Sequence, residues 1–201
     1  MNSASDKLMK EKKNVAILAS GTGSNAENLI QYFDGHPSIR IALIVTNNKD
    51  AGVIKIAEKY NIPYRIFLKQ EWWDTFNIIY VFEGFKIDLI VLAGYLSLIP
   101  TEFIEAFKNR IINIHPALLP KYGGKGMFGN HVHRTVLYNK EKETGITIHE
   151  VDEIYDNGKI LLQEKIPIAP DDDARSIEKK VRQLEYKYLP LVVEKLLLKN
   201  E

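Results

Sequence analysis

The sequence predicts an α/β fold, an open and mostly parallel twisted sheet with helices on both faces in the manner of a Rossmann domain. Three observations carry that expectation. Short apolar runs alternate with helical periods through the first half of the chain, and the first run ends in a glycine-rich loop that leads into a helix. The length of 201 residues with 45% apolar content suits one compact domain, taken as residues 14–201 behind a polar extension over 1–13.

The elements follow in order. Asn14–Ala19 (NVAILA) reads as a strand, and Asn25–Phe33 as a helix with Ala26, Leu29, Ile30 and Phe33 on one face. Ile39–Thr46 is strand-like, Gly52–Tyr60 helical, Tyr64–Phe67 strand-like, Trp72–Phe85 helical and Leu89–Ala93 a buried strand. Strands separated by helices pair in parallel, and right-handed crossovers then cover both faces of the sheet. Pro100 is placed to start a short helix through Phe107, followed by a strand over Arg110–Ile114. Residues 116–131, with Gly123, Gly124, Gly126 and Gly129, read as a functional loop. His131–Asn139 reads as a short helix, Gly145–Val151 and Lys159–Ile166 as strands, and Ser176–Leu198 as a long amphipathic helix interrupted near Pro190.

Charge and composition narrow the function classes. Lys and Arg number 27 against 26 Asp and Glu, without the basic excess of a sequence-independent nucleic-acid binder. The absence of cysteine excludes disulfide frameworks and thiolate–zinc sites. No apolar stretch is long enough to span a bilayer, and Met1–Lys13 lacks the apolar centre of a signal peptide, so a cytoplasmic protein is expected.

The loop Ser20-Gly21-Thr22-Gly23-Ser24-Asn25-Ala26 joins the first strand to the first helix, where free backbone N–H groups and the positive helix end favour a phosphate. It also satisfies G-x-G-x-x-A, the dinucleotide fingerprint. That reading asks for an acidic residue at the end of the second strand, where this chain has Thr46, Asn47 and Asn48. A capped turn with no ligand is the bland alternative. Asn113 and His115, at i and i+2 near a strand end, project from one face toward the crevice that holds the glycine loop. Each has an ordinary structural reading, as does Asp156 in the turn Tyr155-Asp156-Asn157-Gly158, where Asp152 and Glu153 are nearby competitors. His131 and His133, joined by His115, form the start of a zinc or iron set if H-x-H lies on a strand, but nothing fixes a further ligand and the glycine flank suits a substrate loop. Arg134, Lys121 and Lys125 read as solvated charges.

Taken together, the glycine loop, Leu92-Ala93-Gly94-Tyr95, the run Asn113-Ile114-His115-Pro116-Ala117-Leu118-Leu119-Pro120 and the Asp156-Asn157-Gly158 turn resemble the folate-dependent formyltransferases over about residues 14–198. The Asn-Ile-His-Pro run with a downstream Asp is shared by the transferases and hydrolases of this group, and the Ser-Gly-Thr-Gly-Ser-Asn loop marks the branch acting on glycinamide ribonucleotide. By length, the chain is expected to lack the C-terminal domain of the methionyl-tRNA formyltransferases and the N-terminal domain of the formyltetrahydrofolate hydrolases.

The resemblance implies 10-formyltetrahydrofolate as co-substrate, glycinamide ribonucleotide as acceptor, and no metal, redox cofactor, nucleic acid or membrane partner. It implies a catalytic set of Asn113, His115 and Asp156, with Gly23, Ser24 and Asn25 on the phosphate and Arg182 and Glu185 on the nucleotide. It implies a folate pocket of Leu92, Leu96, Ser97, Leu98, Ile99, Val151, Asp152, Glu153, Ile154 and Tyr155. In that reading Asn113 and a protonated His115 donate to the developing oxyanion, while Asp156 holds His115 and raises its pKa. The chain departs from the family in three places: an insertion over Lys125–Gly129, Ser97 where a basic residue is frequent, and Glu71 where an arginine commonly meets the folate tail, with Lys69 as the nearest substitute.

Overall fold

A computed structural model describes residues 11–198, so most of the polar extension lies outside the described residues. Seven strands form one sheet: β1 (Lys13–Leu18), β2 (Ile39–Thr46), β3 (Tyr64–Ile66), β4 (Ile87–Leu92), β5 (Ile111–His115), β6 (Glu143–Glu150) and β7 (Ile160–Pro167). Their order is β3-β2-β1-β4-β5-β6-β7. The first five are parallel, whereas β6 runs antiparallel to β5 and β7 to β6. The chain winds outward from β1 to β3 and returns to β4 on the other side of β1. The crevice beyond the carboxyl ends of β1 and β4 is therefore the switch point where such sheets bind ligands.

Among the described residues six α-helices cover the sheet: α1 (Ser24–Tyr32), α2 (Gly52–Lys59), α3 (Thr75–Gly84), α4 (Thr101–Ala106), α5 (Asn130–Tyr138) and α6 (Ala174–Leu198). Alternation along β1 sorts them. Val15 and Ile17 join one core with residues of α1, α2 and α6, and Ala16 and Leu18 join the opposite core with residues of α3 and α4. Burial on both faces is what a continuous apolar run in a central parallel strand implies.

Two expectations fail locally, each for a side-chain reason. The single helix over Trp72–Phe85 is split into a 3-10 turn, Lys69–Trp73, and α3, because the Asp74 carboxylate accepts from the Asn77 N–H at 3.3 Å and starts a new helix. Trp72 is fixed at the break, its indole N–H donating to the Tyr95 hydroxyl at 3.0 Å. The interruption expected at Pro190 is absent, and α6 runs through it. Proline cannot donate to the carbonyl four residues back, that of Tyr186, and the Asn28 side-chain amide donates there instead at 2.9 Å. A residue of α1 thus supplies the bond that the helix lacks.

Candidate active site

The loop after β1 is held open by backbone bonds. Ser20 N–H donates to the Gly94 carbonyl at 3.0 Å, and the Ser20 hydroxyl accepts from Leu96 N–H at 2.9 Å, tying this loop to the one after β4. Gly23 caps α1 with φ 80°, and a Cβ there would lie 2.7 Å from the Val53 side chain, so a left-handed residue without a side chain is required. Asn25 is buried and donates to Glu185 on α6 at 3.0 Å, while its carbonyl oxygen has no partner among the described residues. Burial raises the Glu185 pKa, against the lowering effects of Asn25 and Arg182. Arg182 itself is paired with Glu178.

At the other side of the crevice, β5 presents Asn113 and His115 from one face, and the antiparallel register sets His149 of β6 directly opposite Asn113. Asp156, at φ 53° in the turn after β6, points one carboxylate into this group. Its Oδ1 lies 3.3 Å from Asn113 Nδ2, 3.5 Å from His115 Nδ1 and 3.6 Å from His149 Nε2, and its Oδ2 accepts from Gly124 N–H at 2.8 Å. The outer ring nitrogens are fixed by carbonyls: His115 Nε2–H donates to Tyr122 at 2.7 Å and His149 Nδ1–H to Glu150 at 2.7 Å. With Nδ1 of His149 carrying the proton, its Nε2 accepts from Asn113 Nδ2 at 3.1 Å.

The electrostatics correct one expectation. Burial pushes the His115 pKa down and outweighs the upward pull of Asp156, so the resting imidazole is biased toward neutrality rather than toward the cation. Burial of Asp156 acts upward, but the nearby His149 ring, the His115 charge and the Gly124 N–H together take it below the usual aspartate value. Both Asn113 amide hydrogens are also engaged at rest, with His149 and Asp156.

One cavity of about 610 Å³ joins these regions, a volume typical of small-molecule sites. It is lined by Gly23, Ser24, Asn25, Arg182 and Glu185 on one side, by Asn113, His115, His149 and Asp156 in the centre, and by Leu92, Leu96–Ile99, Val151, Asp152, Ile154 and Tyr155 on the other. Every residue expected from the sequence is there except Glu153, which is exposed outside it. Ser97 is engaged by Asn47, whose amide donates to its hydroxyl at 2.5 Å. Lys69 and Glu71 do not line the cavity, and the Glu71 carboxylate accepts from Leu68 N–H at 2.7 Å.

The histidine pair is separated as well. His131 and His133 lie on a helix, not a strand; His131 is exposed, and His133 is buried and lines the cavity. Among the described residues no three His, Cys, Asp or Glu side chains are grouped to hold a metal. His149 is the site residue that the sequence reading missed. Its signal lies in strand alternation, since Thr147 and His149 share a face of β6, and becomes legible only once β6 is paired with β5.

The family model described as "Formyl transferase" matches residues 13–193. Phosphoribosylglycinamide formyltransferase of Arabidopsis thaliana, a chloroplastic protein, is 39% identical over 90% of this chain. The Haemophilus influenzae enzyme of the same name is 34% identical over 90% of this chain and 86% of its own length. The chain spans just under two thirds, 64%, of the length of the Arabidopsis relative. Among solved structures, phosphoribosylglycinamide formyltransferase from Anaplasma phagocytophilum superposes with a TM-score of 0.86 at 30% identity, covering 94% of this chain and 88% of that one. Among the described residues no helix is long and apolar enough to cross a membrane. With the match running from β1 into α6 and the Asn-Ile-His-Pro strand end inside it, the chain belongs to the formyl transferase family.

Proposed function

We propose that this chain transfers the formyl group of 10-formyltetrahydrofolate to the primary amine of glycinamide ribonucleotide, yielding formylglycinamide ribonucleotide and tetrahydrofolate in purine synthesis. The observation that carries the reading is a single carboxylate, Asp156, within 3.6 Å of polar atoms of Asn113, His115 and His149, in a cavity that also opens on the glycine loop. The apolar walls Leu92, Leu98, Ile99 and Val151 suit a pterin ring, and the backbone of 152–155 offers polar edges to read it. Gly23, Ser24 and Asn25 at the start of α1 suit a phosphate, with Arg182 and Glu185 beside the ribose.

The residues then act in sequence. The amine nitrogen forms a bond to the formyl carbon, and charge develops on the formyl oxygen. Asn113 turns toward that oxygen the N–H that otherwise makes its longer contact, to Asp156, while its bond to His149 holds the amide plane. His115 is biased to be neutral before reaction, its Nδ1 faces Asp156, and the developing negative charge raises its proton affinity. His115 takes the proton released by the attacking nitrogen, directly or through an ordered water, with Asp156 stabilising the imidazolium. Cleavage of the carbon–nitrogen bond to the folate returns that proton to the leaving nitrogen. His149 is a positioning residue here.

The test is formyl transfer measured with and without glycinamide ribonucleotide, for the native chain and for His115→Ala. Ribonucleotide-dependent release of tetrahydrofolate that falls on the order of 10³-fold in the variant is expected. Turnover without the ribonucleotide would instead assign a formyltetrahydrofolate hydrolase, and no turnover would leave a phosphate-binding module.

A further inference from the structure

The charges lining the cavity do not balance the ligands proposed for it. Its walls carry the carboxylates of Asp152, Asp156, Glu178 and Glu185 against two cations, Lys125 and Arg182. Arg182 is already committed to Glu178. A phosphate seated at the glycine loop would face Glu185, which is tied to Asn25 of that loop, with its nearest arginine half neutralised. Among the described residues lining the cavity, Lys125 is the one Lys or Arg that no carboxylate engages.

Lys125 is carried on a turn that is anchored at both ends. Gly124 N–H donates to the Asp156 carboxylate at 2.8 Å, and Met127 N–H donates back to the Gly124 carbonyl at 3.0 Å, closing a four-residue turn with Lys125 at its second position. Gly126 follows at φ 89°, the positive value that the third position of a type II turn requires. Met127 then packs on Ala117, Val132 and Val136. The chain continues to Asn130, whose amide donates to Glu178 of α6 at 3.4 Å. The insertion therefore runs from Asp156 to Glu178 of α6, the residue that pairs with Arg182.

We infer that Lys125 binds the phosphate of the acceptor substrate, supplying from the inserted loop the positive charge that the Arg182–Glu178 pair withholds. The inference rests on the ribonucleotide reading above. It replaces the view of Lys125 as a solvated charge, and it gives the insertion a task in acceptor recognition rather than in chemistry.

Steady-state kinetics of Lys125→Ala and Lys125→Arg test it, together with calorimetric binding of inorganic phosphate. Loss of a charge-assisted contact should raise KM for the ribonucleotide about ten-fold in Lys125→Ala, with kcat and the folate KM little changed. Inorganic phosphate should bind correspondingly more weakly to that variant, and Lys125→Arg should recover most of both effects. An unchanged ribonucleotide KM overturns the assignment, as does a rise confined to folate KM that grows with the number of glutamates in the folate tail. The phosphate titration needs no turnover, so it reads Lys125 even where the transfer reaction itself is not observed: equal phosphate affinity in native protein and Lys125→Ala overturns the inference on its own.

Discussion

The two sides of the cavity are built on different principles. The glycine loop after β1 offers mostly backbone: a left-handed cap at Gly23, the first N–H groups of α1 and one side chain, Asn25, braced by Glu185. The centre offers almost only side chains, with Asn113 and His115 from β5, His149 from β6 and Asp156 from the following turn gathered on one carboxylate. Fixed backbone dipoles that suit an anion come from a short stretch of chain, so that part of the cavity is local in sequence. Moving a proton needs groups whose pKa values are set by mutual contact and burial, and only the antiparallel pairing of β5 with β6 creates that contact.

The largest effect that tests this division is expected from Asp156→Asn. The amide keeps a carbonyl for the Gly124 N–H but loses the charge that stabilises an imidazolium at His115. We expect kcat to fall on the order of 10³-fold while phosphate affinity at the glycine loop stays within about two-fold of the native value. A comparable loss in phosphate binding, read by calorimetry, would show that the two sides are not separable.

The same division decided what could be read from the sequence. The parallel half was legible because buried strands and amphipathic helices carry their periods locally; Ile39–Thr46 is the strand β2 to the residue. Asn113 and His115 stand two residues apart in one run, whereas Asp156, 43 residues beyond Asn113, was expected from the family resemblance; the three do converge. What escaped depends on contacts distant in sequence. His149 gains its place from cross-strand register, and Pro190 stays helical because Asn28 reaches it from α1. The sign of the His115 shift escaped for a related reason: the attracting Asp156 could be named from the motif, but the opposing burial exists only in the folded chain. Glu153 fell outside the cavity because neighbours in a tight turn point in different directions.

A smaller effect is expected where the two halves are joined by α6. Asn28→Ala leaves the Tyr186 carbonyl without its donor and should destabilise the fold by about 1–3 kcal/mol, measured by urea unfolding, with kcat unchanged. In a Pro190→Ala background the helix regains its own N–H for that carbonyl, so the cost of Asn28→Ala should shrink. Equal costs in the two backgrounds would mean that the Asn28 bond is not the substitute for the missing helical one.

The smallest effect concerns His133, which lies in the cavity wall but outside the Asp156 group. Burial lowers its pKa most, Glu178 opposes this, and Arg182 and His115 add to it. A histidine whose folded pKa lies below its unfolded value near 6.5 takes up its proton more readily in the unfolded chain. Its neutral burial therefore costs nothing above that pH, and stability is lost as pH falls from 6.5 toward the folded pKa. His115 has the same sign of shift and contributes in the same direction, so His133→Gln should flatten the decline of Tm below pH 6.5 without abolishing it. A decline as steep in the variant as in the native chain would place the acid sensitivity on the Asp156 side of the cavity alone, where His115 and the carboxylate are both lost to protonation.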